Sequence, residues 1–558
     1  MRRPPLVLIV LSVLLLALGT TGGAVMSLLQ PQIQRFSTER IFSAREVHNL
    51  SGSREYDAEV VADIVFTIEA GLSFFHTHGE GMGVVLLFAA TAVASLVGRR
   101  WLRALLYWLL GLSFLFPLGY VGYSALILFY GKDAGIALAE QALLIPFGSS
   151  AILGLSLLVV AAGFLLANGR LRRALTAPRD AGVVPKPAPE DSAGWRRPPR
   201  PVVLAAALLI ALAEIGGASM ARFKPELTAF ATARILERPQ VHGLVGSRDV
   251  DNEILDEALV KLDGALRLFH LHGEGMGLVI FGVALVISTL VRTTRIRKTL
   301  HVLLTLGGFG FPFGYLLWSV LIPFVGVGPA RTIAAILVLI PSGGLVVIAL
   351  WALTVYLVRD LPPKRWRRLG QADEAPGRGA VGLPPFAVIL ASMLLLVLAE
   401  VGGGAMVKFK VALERANRER VEARPQIHGL VGVREVDGPV IDNLVARADF
   451  ALRLFHLHGE GMGLVIFAGG LMIRNFLTSR ALSRALYAML VVGGFLYPFG
   501  YLAWSGMIPV LGLERSKDLA EYLAWIPFGG AALVAMAVIS LMLGRGIYVA
   551  WRERRGNA

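Results

Sequence analysis

The sequence predicts an all-α polytopic membrane protein: twelve transmembrane helices arranged as three tandem, parallel four-helix repeats. Three observations carry this. The chain of 558 residues is 55% hydrophobic and only 17% charged, with a mean hydropathy of +0.66, whereas soluble domains carry about 25% charged residues. It contains twelve mostly apolar stretches, each close to the roughly 20 residues that a membrane helix needs. A ten-residue word also recurs three times: FFHTHGEGMG from Phe74, and LFHLHGEGMG from Leu268 and again from Leu454.

The apolar stretches fall at 6–29, 74–97, 102–130 and 138–167, then 201–221, 269–291, 300–326 and 332–358, then 384–407, 455–476, 485–511 and 518–544. The first imitates a secretion signal, with Arg2 and Arg3 before an apolar run that ends in Gly22, Gly23 and Ala24. Gly22, Gly23 and Met26 however match Gly216, Gly217 and Met220 of the next copy, so a retained span is expected. The register extends well beyond the word. Met26, Met220 and Met406 each precede a His by 22 residues, and a further 28 residues lead to His76, His270 and His456. A P-[FL]-G-Y word follows at Pro117, Pro312 and Pro498, after 41, 42 and 42 residues, and an I-P-[FS]-G word 29 residues later at Pro146, Pro341 and Pro527.

The expected organisation is repeat 1 over 1–175, a linker over 176–200, repeat 2 over 201–358, a linker over 359–383 and repeat 3 over 384–558. Both linkers are rich in Pro, Arg and Gly. Between the first and second span of each repeat lies a polar arm, at 30–73, 222–268 and 408–454, carrying H-[GN]-L-[VS]-G-[SV]-R-[DE]-[VY]-D. Its last part, EILDEALVKLDGALRLFH in repeat 2, has helical amphipathicity and is expected to run straight into the second span.

With four spans per repeat, the termini, the linkers and the loops after each second span share one side. Lys and Arg outnumber Asp and Glu there by 30 to 7, and are outnumbered 24 to 32 elsewhere. Positive charge marks the cytoplasmic side, so both termini are expected inside, in the inner membrane of a bacterium, with the arms outside. The net charge of +15 then reads as topology and affinity for the lipid bilayer, not for nucleic acid. The absence of cysteine excludes disulfides, thiolate metal sites and a thiol nucleophile.

Nine of the ten histidines occupy three equivalent positions. They are His48, His242 and His428 in the arms, then His76, His270 and His456, then His78, His272 and His458 in the word; His301 stands apart as an interface residue. At 100° per residue, the first His of the word shares a helix face with an acid seven residues earlier (Glu69, Asp263, Asp449) and a Glu four later (Glu80, Glu274, Glu460). The second His points the other way, on the side of Met82, Met276 and Met462. The glycines of GEGMG allow either local unwinding or close helix approach. Glu214 and Glu400 lie in the first span, where repeat 1 has Thr20; Arg54, Arg248, Arg434 and Tyr120, Tyr315, Tyr501 lie at similar depth. Ionisable groups inside spans are costly and point to function.

The leading expectation is a divalent transition metal at each repeat, held by His48, His76, His78 and Glu80, by Glu214, His242, His270, His272 and Glu274, and by Glu400, His428, His456, His458 and Glu460. Alternatives are haem b or quinone chemistry in an electron-transfer subunit, a proton or ion transporter relaying through Glu and His, and a structural accessory subunit working with other membrane subunits. In that last reading the His and Glu pair with one another, with Arg267 or Arg453, or with the arm arginines. The chain carries no G-x-S-x-G, H-E-x-x-H or P-loop word, which excludes the common hydrolases and ATP-driven transport by this chain alone.

Overall fold

A computed structural model describes residues 4–167, 196–360, 382–477, 479–539, 541, 542 and 545. Most of both expected linkers, 176–200 and 359–383, and the end of repeat 3 lie outside the described residues. The described chain is helical and has no strand, and eleven of its helices are long and apolar enough to cross a membrane. The stretch expected at 455–476 is helical too, but Gly469, Gly470 and Arg474 dilute its apolar run.

The chain divides into two compact units. One is Met1–Ala188 with Met536–Ala558, and the other is Pro189–Ala535, which holds the second and third copies of the repeated sequence. In the first unit α1 (Leu6–Ser43) is followed by α2 (Arg54–Leu96), α3 (Arg100–Leu112), α4 (Leu115–Tyr130), α5 (Lys132–Ala139) and α6 (Ile145–Ala167). In the second unit the second copy runs α7 (Arg200–Leu236), α8 (Pro239–His242), α9 (Arg248–Leu290), α10 (Thr294–Val325), α11 (Val327–Ala334) and α12 (Ile340–Asp360). The third copy follows as α13 (Phe386–Glu422), α14 (Pro425–His428), α15 (Arg434–Phe476), α16 (Arg480–Leu511) and α17 (Leu513–Ala520).

Helices α2, α9 and α15 each have 43 residues. At a rise of about 1.5 Å per residue each is roughly 65 Å long, twice the hydrocarbon thickness of a bilayer. The arms are therefore helical hairpins, made of the end of the first long helix and the start of the second, and the amphipathic stretch does run unbroken into the apolar one. One carboxylate ties each hairpin turn. The Val245 and Gly246 amides donate to Asp251 at 2.7 and 3.0 Å, and the Val431 and Gly432 amides donate to Asp437 at 2.9 and 2.8 Å. In the first unit the Ser51 amide donates to Asp57 at 2.8 Å, and Arg45 adds an ion pair at 2.9 Å. The arm word is thus a carboxylate-capped turn. Glycines with φ near +82° at Gly246 and Gly432 supply the left-handed backbone that the turn needs.

The second helix is the central one. In α2 and α9, 83% and 89% of the apolar window is buried, against 28% in the span that follows α2. Its glycines explain this. A methyl on Gly273 would stand 2.7 Å from Ala213, and one on Gly277 would run into Ile210. Gly459 and Gly463 meet Ala399 and Leu396 in the same way, and Gly79 and Gly83 meet Gly19 and Leu16. The helix continues unbroken through GEGMG, so these glycines serve close approach and not unwinding. Met276 and Met462 lie against Gly308 and Gly494 of the third span, as packing residues.

Helices α10 and α16 pass through Pro312 and Pro498 unbroken, whereas the first copy breaks at Ser113 between α3 and α4. The break coincides with the one-residue shorter spacing of that copy. Each fourth span opens with a π-helical segment, at Glu140–Leu144, Ala335–Leu339 and Glu521–Gly529. It lies beside or over Pro146, Pro341 or Pro527, whose missing N–H disrupts the regular ladder. Gly119, Gly314 and Gly500 of the P-[FL]-G-Y word lie under Leu144, Leu339 and Trp525 of these segments.

Candidate functional site

The three arm histidines are helix caps. His48 Nε2–H donates to the Leu128 carbonyl at 3.2 Å, His242 to the Pro323 carbonyl at 3.3 Å and His428 to the Pro509 carbonyl at 3.1 Å. These carbonyls belong to the last turn of the third span, where no further N–H of the same helix is in line. Burial outweighs the Leu128 carbonyl and holds the His48 imidazole below its ordinary pKa, with Arg40 acting in the same sense. Partial burial would raise Asp57, but donors from Ser51, Arg45 and Gly52 outweigh it and hold the carboxyl below the usual carboxylate value. Arg54, Arg248 and Arg434 stand at the exposed start of the second helix.

The first histidine of the word reaches across to the first span. Nδ1–H of His76, His270 and His456 donates to the carbonyls of Gly19, Ala213 and Ala399 at 2.9, 2.8 and 2.9 Å. A pair of glycines one turn on makes room for it. A methyl on Gly217 would stand 2.8 Å from the His270 ring, and one on Gly403 would stand 2.7 Å from the His456 ring. The preceding Gly216 and Gly402 lie against Phe269 and Phe455. The recurring Gly-Gly of the first span and Phe-His of the second are therefore two sides of one contact.

With Nδ1 committed to a backbone carbonyl, Nε2 is the ring's remaining polar atom. His456 Nε2 lies 3.5 Å from Glu460 Oε1. Glu460 in turn interacts electrostatically with Glu400 of the neighbouring helix. In the second copy Glu274 lies within electrostatic reach of Glu214 and of His270. All four carboxyl groups are more than nine-tenths buried, and Oε1 of each lacks a hydrogen-bond partner. In the first unit the Glu80 carboxyl lies instead 3.8 Å from His76 Nδ1, the nitrogen bonded to Gly19, and Thr20 holds the helix position of the second carboxyl.

The acids seven residues before the first His do not join the site. Asp263 pairs with Arg267 at 2.8 Å and Asp449 pairs with Arg453, while Glu69 accepts from Gln34 at 2.9 Å. Arg267 and Arg453 are thereby engaged by these acids. The carboxylate–imidazole–carboxylate stripe expected along one helix is instead built across two helices.

The second histidine belongs to an aromatic stack. Nδ1–H of His78, His272 and His458 donates to the carbonyl four residues back at 2.9 Å. The rings stack on Tyr120, Tyr315 and Tyr501 with centroids 4.8, 4.6 and 4.4 Å apart. In the second unit the stack continues into the next copy: the His272 and His456 rings are stacked with centroids 5.8 Å apart and planes at 26°. Tyr315 acts electrostatically on both Glu460 and Glu400, and a methyl on Gly275 would stand 3.6 Å from Glu460 Oε2. Nothing in the spacing within one copy indicated this contact between copies. His301 hydrogen bonds Ser288 at 3.0 Å between α9 and α10, as an interface residue does.

The fourteen candidate residues thus divide into caps, carboxyl–imidazole sites and stacked rings. Among the described residues, no group of three or more His, Asp or Glu side chains is gathered to hold a metal ion. Comparison of the sequence with protein-family models gives no match, and comparison with curated proteins gives none.

Proposed function

We propose that this chain is a proton or small-cation transporter of the bacterial inner membrane, working through paired carboxyl groups where the first and second spans meet. The arrangement proposed is twelve spans in three parallel four-helix repeats, with both termini and the linkers in the cytoplasm. The recurring helix lengths, hairpin turns and π-helical segments support it, and so does the charge asymmetry.

One observation carries the functional reading. Glu400 and Glu460 are buried on neighbouring helices within electrostatic reach of each other, Oε1 of each has no hydrogen-bond partner, and His456 Nε2 stands 3.5 Å from Glu460 Oε1. Burying two carboxyl groups in this way is expensive. A hydrogen bond between them requires one proton, because two carboxylates offer only acceptors. A proton shared by the pair, or a small cation in its place, supplies the missing positive charge. Transfer of the shared proton to His456 Nε2 leaves two carboxylates beside an imidazolium and ends the bond between them, a state that a bound cation or a second proton would neutralise, while the Nδ1–H bond to Ala399 is unchanged. The Glu214–Glu274–His270 group supports the same chemistry.

The test is flux. The full chain in proteoliposomes with an enclosed pH dye and an imposed membrane potential is expected to carry protons, and E400Q or E460Q to lower the rate at least about ten-fold, as loss of a relay group does. A wild-type rate equal to that of empty vesicles sinks the reading. The divalent-metal reading keeps one support, the acidic and imidazole character of the unpartnered atoms. Stoichiometric metal in the purified chain, lost in E460Q, would favour it instead. Haem b has less support, because Nδ1 of each word histidine is already bonded to a backbone carbonyl and His272 and His456 stack on each other.

A further inference from the structure

The carboxyl site of the third copy is not closed by that copy alone. Glu400 and Glu460 are covered by α13 and α15 on one side, with His456 pinned to the Ala399 carbonyl at 2.9 Å. On the other side stand three groups of the second copy: the Gly275 backbone beside Glu460, the Tyr315 phenol within electrostatic reach of both glutamates, and the His272 ring stacked with His456. His272 is itself held in two ways. Its Nδ1–H donates to the Leu268 carbonyl at 2.9 Å, and its other face rests on Tyr315 at 4.6 Å. Its ring is thus fixed by a hydrogen bond and by a stacking contact.

We infer that the proton or cation site of the third copy is a two-copy site, in which His272 is a positioning residue that keeps the His456 ring turned toward Glu460. The inference rests on the proposed function for the identity of the ligand, but the positioning stands on geometry. The ring of His456 has three constraints: the Ala399 carbonyl, the backbone of Gly403 and the face of His272. The first two leave rotation away from Gly403 open, and His272 blocks it. The consequence is that a site in the third copy answers to side chains of the second, so these two copies work as coupled elements. The titratable and charged groups around Glu460 are Glu400, His456, His272 and Tyr315, with Arg331 and Arg453 acting on Tyr315 from outside the stack.

The test reads the ring and not only transport. In the full chain with 15N-labelled histidine, His456 is assigned by loss of its signals in H456N. Wild type is expected to show a single tautomer, with the proton on Nδ1. H272A should give a mixture of tautomers, because the space it leaves lets the ring turn. H272F, flat and of similar size, should restore the single form, and H458A, which removes a ring stacked on Tyr501 instead, should leave it unchanged. Proton flux should follow: about ten-fold lower in H272A and recovered in H272F. An unaltered His456 tautomer in H272A overturns the inference, as does an H272F protein as mixed as H272A. Should H272A fail to fold, Y315A removes the support under His272 and is expected to produce the same mixture; an unchanged tautomer there counts against the inference equally. If wild-type vesicles carry no protons while the tautomer still answers to His272, the transport reading fails and the two-copy site stands.

Discussion

Three consecutive glycines in α13 (Gly402, Gly403 and Gly404) meet three different surroundings, and the differences set the sign of a substitution. A methyl on Gly403 would stand 2.7 Å from Cε1 and 2.8 Å from Nδ1 of His456, well inside the 3.5–4.0 Å of ordinary contact between carbon atoms. The ring must move by about 1 Å, and the 2.9 Å bond to the Ala399 carbonyl does not survive that. Overpacking costs about 1–3 kcal/mol, and the lost bond about 1 kcal/mol or more. The better helix propensity of Ala returns about 0.5–1 kcal/mol. G403A is therefore expected to destabilise the protein by about 2 kcal/mol. Gly404 has nothing within 4 Å of the added methyl, so G404A keeps only the propensity gain and should stabilise by about 0.5–1 kcal/mol. Unfolding of the full chain in mixed detergent micelles reads both. Adding H456A to G403A removes the ring that the methyl meets, so the double variant should lose less than the sum of the two single changes. Equal destabilisation by G403A and G404A, or strict additivity in the double variant, would refute the reasoning.

The first arm should loosen in acid. His48 is held below its ordinary value by burial, so its contribution to stability is present above about pH 6.5 and is lost as pH falls through the lowered folded value. Asp57 acts in the same direction: its depressed carboxyl contributes above the usual carboxylate range, and that contribution is lost as pH falls through its folded value. Hydrogen exchange across 44–57 between pH 7 and pH 5 reads this, and H48F should flatten the upper part of the profile; a profile identical to wild type would contradict the assignment. In the second copy, D251A leaves the Val245 and Gly246 amides without their acceptor. Loss of these exposed bonds is expected to cost about 1–2 kcal/mol. Exchange at the two amides should quicken by about ten-fold or more, while the buried amides of α9 are unaffected.

Helix periodicity states where a side chain points around its own axis, and that much was legible. The acid–His–Glu spacing correctly placed His270 and Glu274 on one face, and the second His on another. It could not say what stood opposite. Asp263 shares that face and yet turns to Arg267, because the two lie one turn apart on an exposed part of the helix. Glu274 lies deeper, where its neighbour is Glu214 of the first span. The arm histidines carried the same weight in the sequence as those of the word, but their partners, the closing carbonyls of the third span, are backbone atoms and leave no mark in residue identity.

What the sequence by itself determined is the helical, apolar character of the chain, the threefold recurrence of its words, and the small residues on which close helix approach depends. These follow from composition and from periods along one strand of residues, and both are local properties. Only the tertiary structure decided that the carboxyl groups pair between helices and that His272 of one copy lies over His456 of the next. The reason is physical: a helix fixes angles about its axis, whereas the identity of a partner depends on how separate helices approach. That approach is set by which glycines leave room for which rings.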